Sequence, residues 1–140
     1  MTPLERITRR TTQFGHPDAE GTPTYLLSVE DFFDGNEVAG SIGCNLDPMP
    51  APAKFRQALE LVAARPEVVD VRVQITSFDD PDWPFSDTVW IITSADEEVV
   101  RTWLPEALAP DDVWTGWQPG VTYEDCPVPE GYSPVACWWD

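Results

Sequence analysis

From Ala51 to Arg65 apolar residues recur at helical spacing. Phe55, Leu59 and Val62 fall at i, i+4 and i+7 with Ala58 beside them, while Lys54, Arg56, Gln57 and Glu60 lie opposite. Pro50 and Pro52 suit a helix start, and Pro66 ends it. The period then switches to two: Val69, Val71, Val73 and Ile75 alternate with Asp70, Arg72, Gln74 and Thr76, a half-buried strand. Thr88–Thr93 is a second strand, apolar on both faces, with Val89 and Ile91 on one and Trp90 and Ile92 on the other. Both faces of that strand therefore need cover. Ser94 and Glu97 form a capping-box pattern for a second helix. That helix presents Val99, Val100, Trp103 and Leu104 on one side, and Pro105 stops it. A Pro- and acid-rich stretch, Ala109 to Ser133, reads as irregular, and Pro134–Trp139 as a closing strand.

Upstream, Glu5–Phe14 and Thr22–Val29 read as strands, because Thr, Ile, Phe, Tyr and Leu favour pleated surfaces. The segment Gly15–Gly21 between them has turn chemistry. Val29–Asp34 fits one short helical turn closed by Gly35 and Asn36, and Ser41–Leu46 a short strand interrupted by Gly43. With neither a repeat nor a flexible linker, residues 1–140 read as one domain, in which an N-terminal strand extension (1–40) precedes a core (41–140). From Ser41 the order strand, helix, strand, strand, helix, strand predicts an α+β fold, a ferredoxin-like βαββαβ core with two helices on one face of an antiparallel sheet. Trp138 and Trp139 are neighbours in a strand and point to opposite faces. One packs under the helices. The other faces the helix-free side, which the N-terminal strands or the 109–133 loop must cover unless it is an aromatic binding surface; cover is expected.

Composition changes this picture through charge. The chain has 25 acidic and 8 basic residues, a formal net charge of −17, yet 42% hydrophobic residues and 7 Trp. The acids therefore coat a folded body rather than a disordered tail. Residues 71–140 carry 14 acids against only Arg72 and Arg101. Such a field repels phosphate backbones and anionic lipid, so nucleic acid and membrane surfaces are not expected partners, whereas basic proteins are attracted and steered. No run approaches the ~18 apolar residues of a membrane span. Met1–Phe14 lacks the apolar stretch of a signal peptide, and three cysteines, an odd count, suit reduced thiols, so a cytoplasmic location is the expectation.

The most distinctive stretch is Asp79-Asp80-Pro81-Asp82-Trp83-Pro84-Phe85-Ser86-Asp87. Two aromatics stiffened by proline and ringed by acids resemble an interface anchor with a charged rim, or else they fold back to plug the sheet edge. Trp114 and Trp117 beside Asp111 and Asp112 repeat the pairing. The ten residues Asp79, Asp80, Asp82, Trp83, Phe85, Asp87, Asp111, Asp112, Trp114 and Trp117 are thus the candidate partner-binding set. The Asp79–Asp87 carboxylates also allow an alternative, a divalent-metal-binding protein or a carboxylate-based hydrolase. The spacing is not that of an EF-hand. His16, the only histidine, reads as a turn residue, and no Cys-x-x-Cys pair or phosphate-binding loop is present, so the reading names no cofactor and no catalytic set.

Ser41-Ile42-Gly43-Cys44-Asn45-Leu46, the stretch from Trp83 to Ser94, and the terminal Trp138-Trp139-Asp140 resemble a family of small, acidic, uncharacterised bacterial proteins. In size, acidity and lack of a catalytic set the chain is also similar, in class only, to toxin-immunity proteins. The leading expectation is a non-enzymatic protein-interaction domain, an immunity or inhibitor protein for a basic partner. The sequence leaves its oligomeric state open.

Overall fold

A computed structural model describes residues 1–140. Helix α1 spans Pro3–Phe14, followed by strand β1 (Leu26–Ser28) and helices α2 (Val29–Phe33) and α3 (Pro52–Ala63). Strands β2 (Val68–Gln74) and β3 (Thr88–Thr93) come next, then α4 (Glu97–Thr102) and a 3₁₀ turn at Glu106–Leu108. Strands β4 (Asp112–Thr115) and β5 (Ser133–Trp138) complete the sheet, whose order is β1-β2-β3-β5-β4 with every neighbouring pair antiparallel. The fold is α+β, an open antiparallel sheet with helices, as the periodicity predicts.

Three details depart from the expected ferredoxin-like arrangement. First, Glu5–Phe14 is helix, not strand. Thr2 accepts from the Glu5 N–H while the Glu5 carboxylate reaches back to the Thr2 N–H, and Pro3 occupies the first turn. That reciprocal cap outweighs the β-preference of Thr and Ile, and Ile7 and Thr11 become the buried stripe. Second, Ser41–Leu46 is a loop that touches the rest of the sheet region by one bridge, Ile42 to Ser86. Gly43 has φ +68°, and a Cβ there would lie 2.6 Å from the Phe55 ring. This close approach to α3 is incompatible with a regular strand. Third, Leu26–Ser28 supplies the first strand instead, lying antiparallel to β2, so the first half lacks the expected split crossover. The second half has one, β3 and β4 running parallel on either side of β5 with α4 between them in the chain. The second helix is also capped two residues later than expected, by Asp96, whose side chain accepts from the Val99 N–H.

The sheet separates two unequal cores. Leu27, Val71, Val73, Val89, Ile91, Val135 and Cys137 face the helices and meet Ile7, Phe32, Phe55, Leu59 and Val62. Trp139 joins them, edge-on to Phe55 at 5.2 Å, with its indole N–H on the Leu108 carbonyl. On the other face Leu26, Trp90 and Ala136 are buried beneath Trp114, Trp117, Tyr123 and Cys126. Every residue of β3 is buried, because both faces of that strand are covered. The 109–133 stretch provides the second cover, not the N-terminal segment. It is not irregular throughout, since Asp112–Thr115 pairs with β5 as β4 and carries Trp114, while Trp117, Tyr123 and Cys126 follow it. Half-exposed Trp138 lies on that side and buried Trp139 under the helices.

The loop is fixed from a distance. Glu124 pairs with Arg10 of α1, and its other oxygen accepts from the Leu26 N–H at 3.0 Å. Backbone bonds Thr24–Thr122 and Glu124–Thr24 tie the same segments together.

Gly43→Ala should destabilise the fold by about 1–3 kcal/mol in urea unfolding, through both the left-handed φ and the collision with Phe55. Burial pushes the Cys137 thiol up to about 12, and burial also raises Cys126, Tyr25 and Tyr123. Each folded-state pKa is higher than its unfolded value, so stability is full below about pH 9 and falls as pH rises beyond it. The Cys137 thiol alone costs up to about 1.4 kcal/mol per pH unit in that window. Denaturation at stepped alkaline pH should show the decline, and Cys137→Ala should flatten it. Under native conditions a thiol reagent should modify exposed Cys44 first and buried Cys137 only on unfolding.

Candidate functional site

The register places separate parts of the chain at one end of the sheet. Thr88 begins β3 opposite Trp138, which also faces Asp112 at the start of β4. Gln74 ends β2 opposite Leu26 at the start of β1. The 75–87 connection, the turn leading into β1, Asp111–Asp112 and Asp140 therefore share that end. His16 fixes the turn against the connection. Its Nδ1 accepts from the Asp18 N–H, so Nε2 carries the proton and donates to the Phe78 carbonyl at 3.2 Å. Asp18 and Glu20 are thereby carried to the same end as Asp79, Asp80 and Asp82.

The individual acids play different parts. Asp79, Asp80 and Asp82 are exposed and make no ion pair; Asp80 accepts from the Asp82 N–H and shapes the turn. Asp87 is half-buried and accepts from the hydroxyls of Thr76 at 2.6 Å and Thr88 at 2.8 Å, clamping the base of the connection. Asp111 accepts from the Asp140 N–H, and Asp112 lies 3.6 Å from Arg101. Besides half-exposed His16, two bases lie at this end, Arg101 beside Asp112 and Arg10 paired with Glu124 where β1 begins.

The aromatic members of the candidate set lie inward. Trp83 is 5% exposed and donates its indole N–H to the Phe32 carbonyl at 2.9 Å, joining the helix-side core. Of its two readings, the plug is the one the geometry gives; a surface anchor is not available there. Phe85 is half-buried, its backbone paired with Ser77. Trp114 and Trp117 belong to the opposite cover, 6.2 and 4.5 Å from Trp90 between ring centroids. The Trp114 indole nitrogen and the Tyr123 hydroxyl are buried there without a hydrogen-bond partner. The four Asp79–Asp87 carboxylates do not line any of the three main clefts, and no three His, Cys, Asp or Glu side chains are grouped to share a metal ion.

Two features escape a periodicity reading. Phe14, at the C-terminus of α1, is 60% exposed beside the acidic end. A groove of about 690 Å³ runs between α3 and the corner after α4, lined by Lys54, Leu61, Met49 and Trp103 among others. Its sequence signal is Leu61, an apolar residue on the outward side of α3.

Trp83→Ala should cost about 3–5 kcal/mol in equilibrium unfolding, as an emptied core site, whereas Asp79→Asn should stay within about 0.5 kcal/mol of the parent.

The uncharacterized protein YfbO of Escherichia coli (strain K12) is 46% identical over 140 residues, spanning 100% of both chains. No solved structure matches the chain. The model of the uncharacterized protein YfbO family matches residues 2–137, and the chain belongs to that family.

Proposed function

We propose that this chain is a non-enzymatic protein-interaction domain that receives a basic protein at the acidic end of its sheet, in the manner of an immunity or inhibitor protein. The observation that carries the reading is the convergence of Asp18, Glu20, Asp79, Asp80, Asp82, Asp111, Asp112 and Asp140 from four distant parts of the sequence. Exposed like charges held together repel one another, and a partner's Lys and Arg side chains relieve that repulsion while displacing water and salt. Beyond about 8 Å such a field is screened at physiological salt, so it steers encounters and sets specificity more than it supplies affinity.

The hydrophobic part of the contact falls to Phe14. It is the aromatic that stands most in solvent, and it closes α1 where the acidic turn begins. Trp83 serves this face from beneath, by holding the connection to α2. The resulting surface is a charged platform with one exposed ring.

Affinity purification from native cells should retain a basic protein in stoichiometric amount at low salt and release it at high salt. Asp79→Lys/Asp82→Lys should weaken that complex at least tenfold, mostly through a slower association rate. A matched reversal at the opposite end of the sheet, Glu98→Lys/Glu130→Lys, should leave it within about twofold. Recovery of no stoichiometric partner, or of one indifferent to the two reversals, overturns the proposal.

A further inference from the structure

The groove beside α3 is the chemical opposite of the acidic end. Pro48–Ala51 forms its floor at one side, α3 one wall, and the Thr102–Leu108 corner the other. Its volume of about 690 Å³ lies in the range of small-molecule sites, roughly 300–1,000 Å³. Pro48, Pro50 and Pro105 stiffen the walls, so the concavity is formed before anything enters it.

Charge selects the occupant. None of the 14 lining residues is acidic, in a chain with 25 acids, and the charged one is Lys54, the chain's only lysine. Arg6, Arg10, Arg56, Arg72 and Arg101 each have a carboxylate partner. Arg65 lies over the Trp103 ring at 4.8 Å, on the same corner as the groove. Lys54 has no ion pair; Arg9 of α1 has none either, but it does not line the groove. An ammonium left free in so acidic a chain, at the mouth of an apolar trough, is matched by an anionic head attached to an apolar body. The body has its surface ready: Leu61 is 67% and Met49 47% exposed, with Trp103 alongside.

We propose that this groove binds a single-chain anionic amphiphile, an acyl chain ending in a carboxylate. The chain lies along Leu61, Met49 and Trp103, and the carboxylate meets Lys54. A basic peptide is disfavoured because nothing in the lining accepts its charge. The groove and the acidic end use different residues, so this proposal stands independently of the partner reading.

The test is calorimetric titration of the intact protein with decanoate below its micelle concentration, beside decanol and decyltrimethylammonium. Decanoate should bind at one site per chain, decanol more weakly and the cation least. Lys54→Glu should weaken decanoate about fivefold to tenfold and barely change decanol. Leu61→Asp should abolish binding of both. Both positions are exposed, so these variants should unfold at the parent's denaturant concentration. Absence of decanoate binding, equal binding of the cation, or indifference to Lys54→Glu overturns the proposal.

Discussion

Strand β3 governs the architecture. Six consecutive buried side chains alternate between two faces, so the strand exists only if each face is shielded from water. The helices shield one side by the usual layer packing. The other side has no helix and, beyond β4, is shielded by irregular chain, whose peptide groups gain little from pairing with one another. What holds that chain in place is aromatic contact with Trp90 and the carboxylate of Glu124. Much of the tryptophan content is a consequence. Where regular structure cannot provide area, large flat side chains can.

The parts that were legible in the sequence are those where a single local signal decides the outcome. The Phe55, Leu59, Val62 stripe between flanking prolines gives α3, and the Val71, Val73, Ile75 alternation gives β2. In α1 two local signals disagree. Thr and Ile prefer strands, but the Thr2–Glu5 cap with Pro3 prefers a helix, and the cap prevails because it satisfies orphan backbone donors. Sheet order was not legible because it depends on pairings far apart in sequence. Thr22–Val29 reads as a strand from its residue types, but nothing local says that Leu26–Ser28 within it pairs with β2 as the edge of the sheet. For the candidate set, the acids were legible as exposed, and their gathering was not, since register decides it. Trp83 shows the remaining limit: a tryptophan among aspartates looks alike whether it points out or in, and the Phe32 carbonyl that holds it inward is 51 residues away.

The charge of the chain is thereby partitioned. Acids from distant segments meet at one end of the sheet, while the side of α3 that lines the groove carries none. A uniformly acidic coat would serve colloidal stability alone. Segregation into a dense region and a bare one gives the surface two chemical identities. The bare one coincides with the groove of about 690 Å³ beside α3.

The Arg10–Glu124 pair joins side chains 114 positions apart, and the same carboxylate holds the amide of Leu26, 98 positions away. One carboxylate therefore ties the first helix, the first strand and the 109–133 cover to one another. The N-terminal helix thus acts beyond its own face of the sheet: by receiving Glu124 it helps keep the aromatic surface around Trp90 hidden from water.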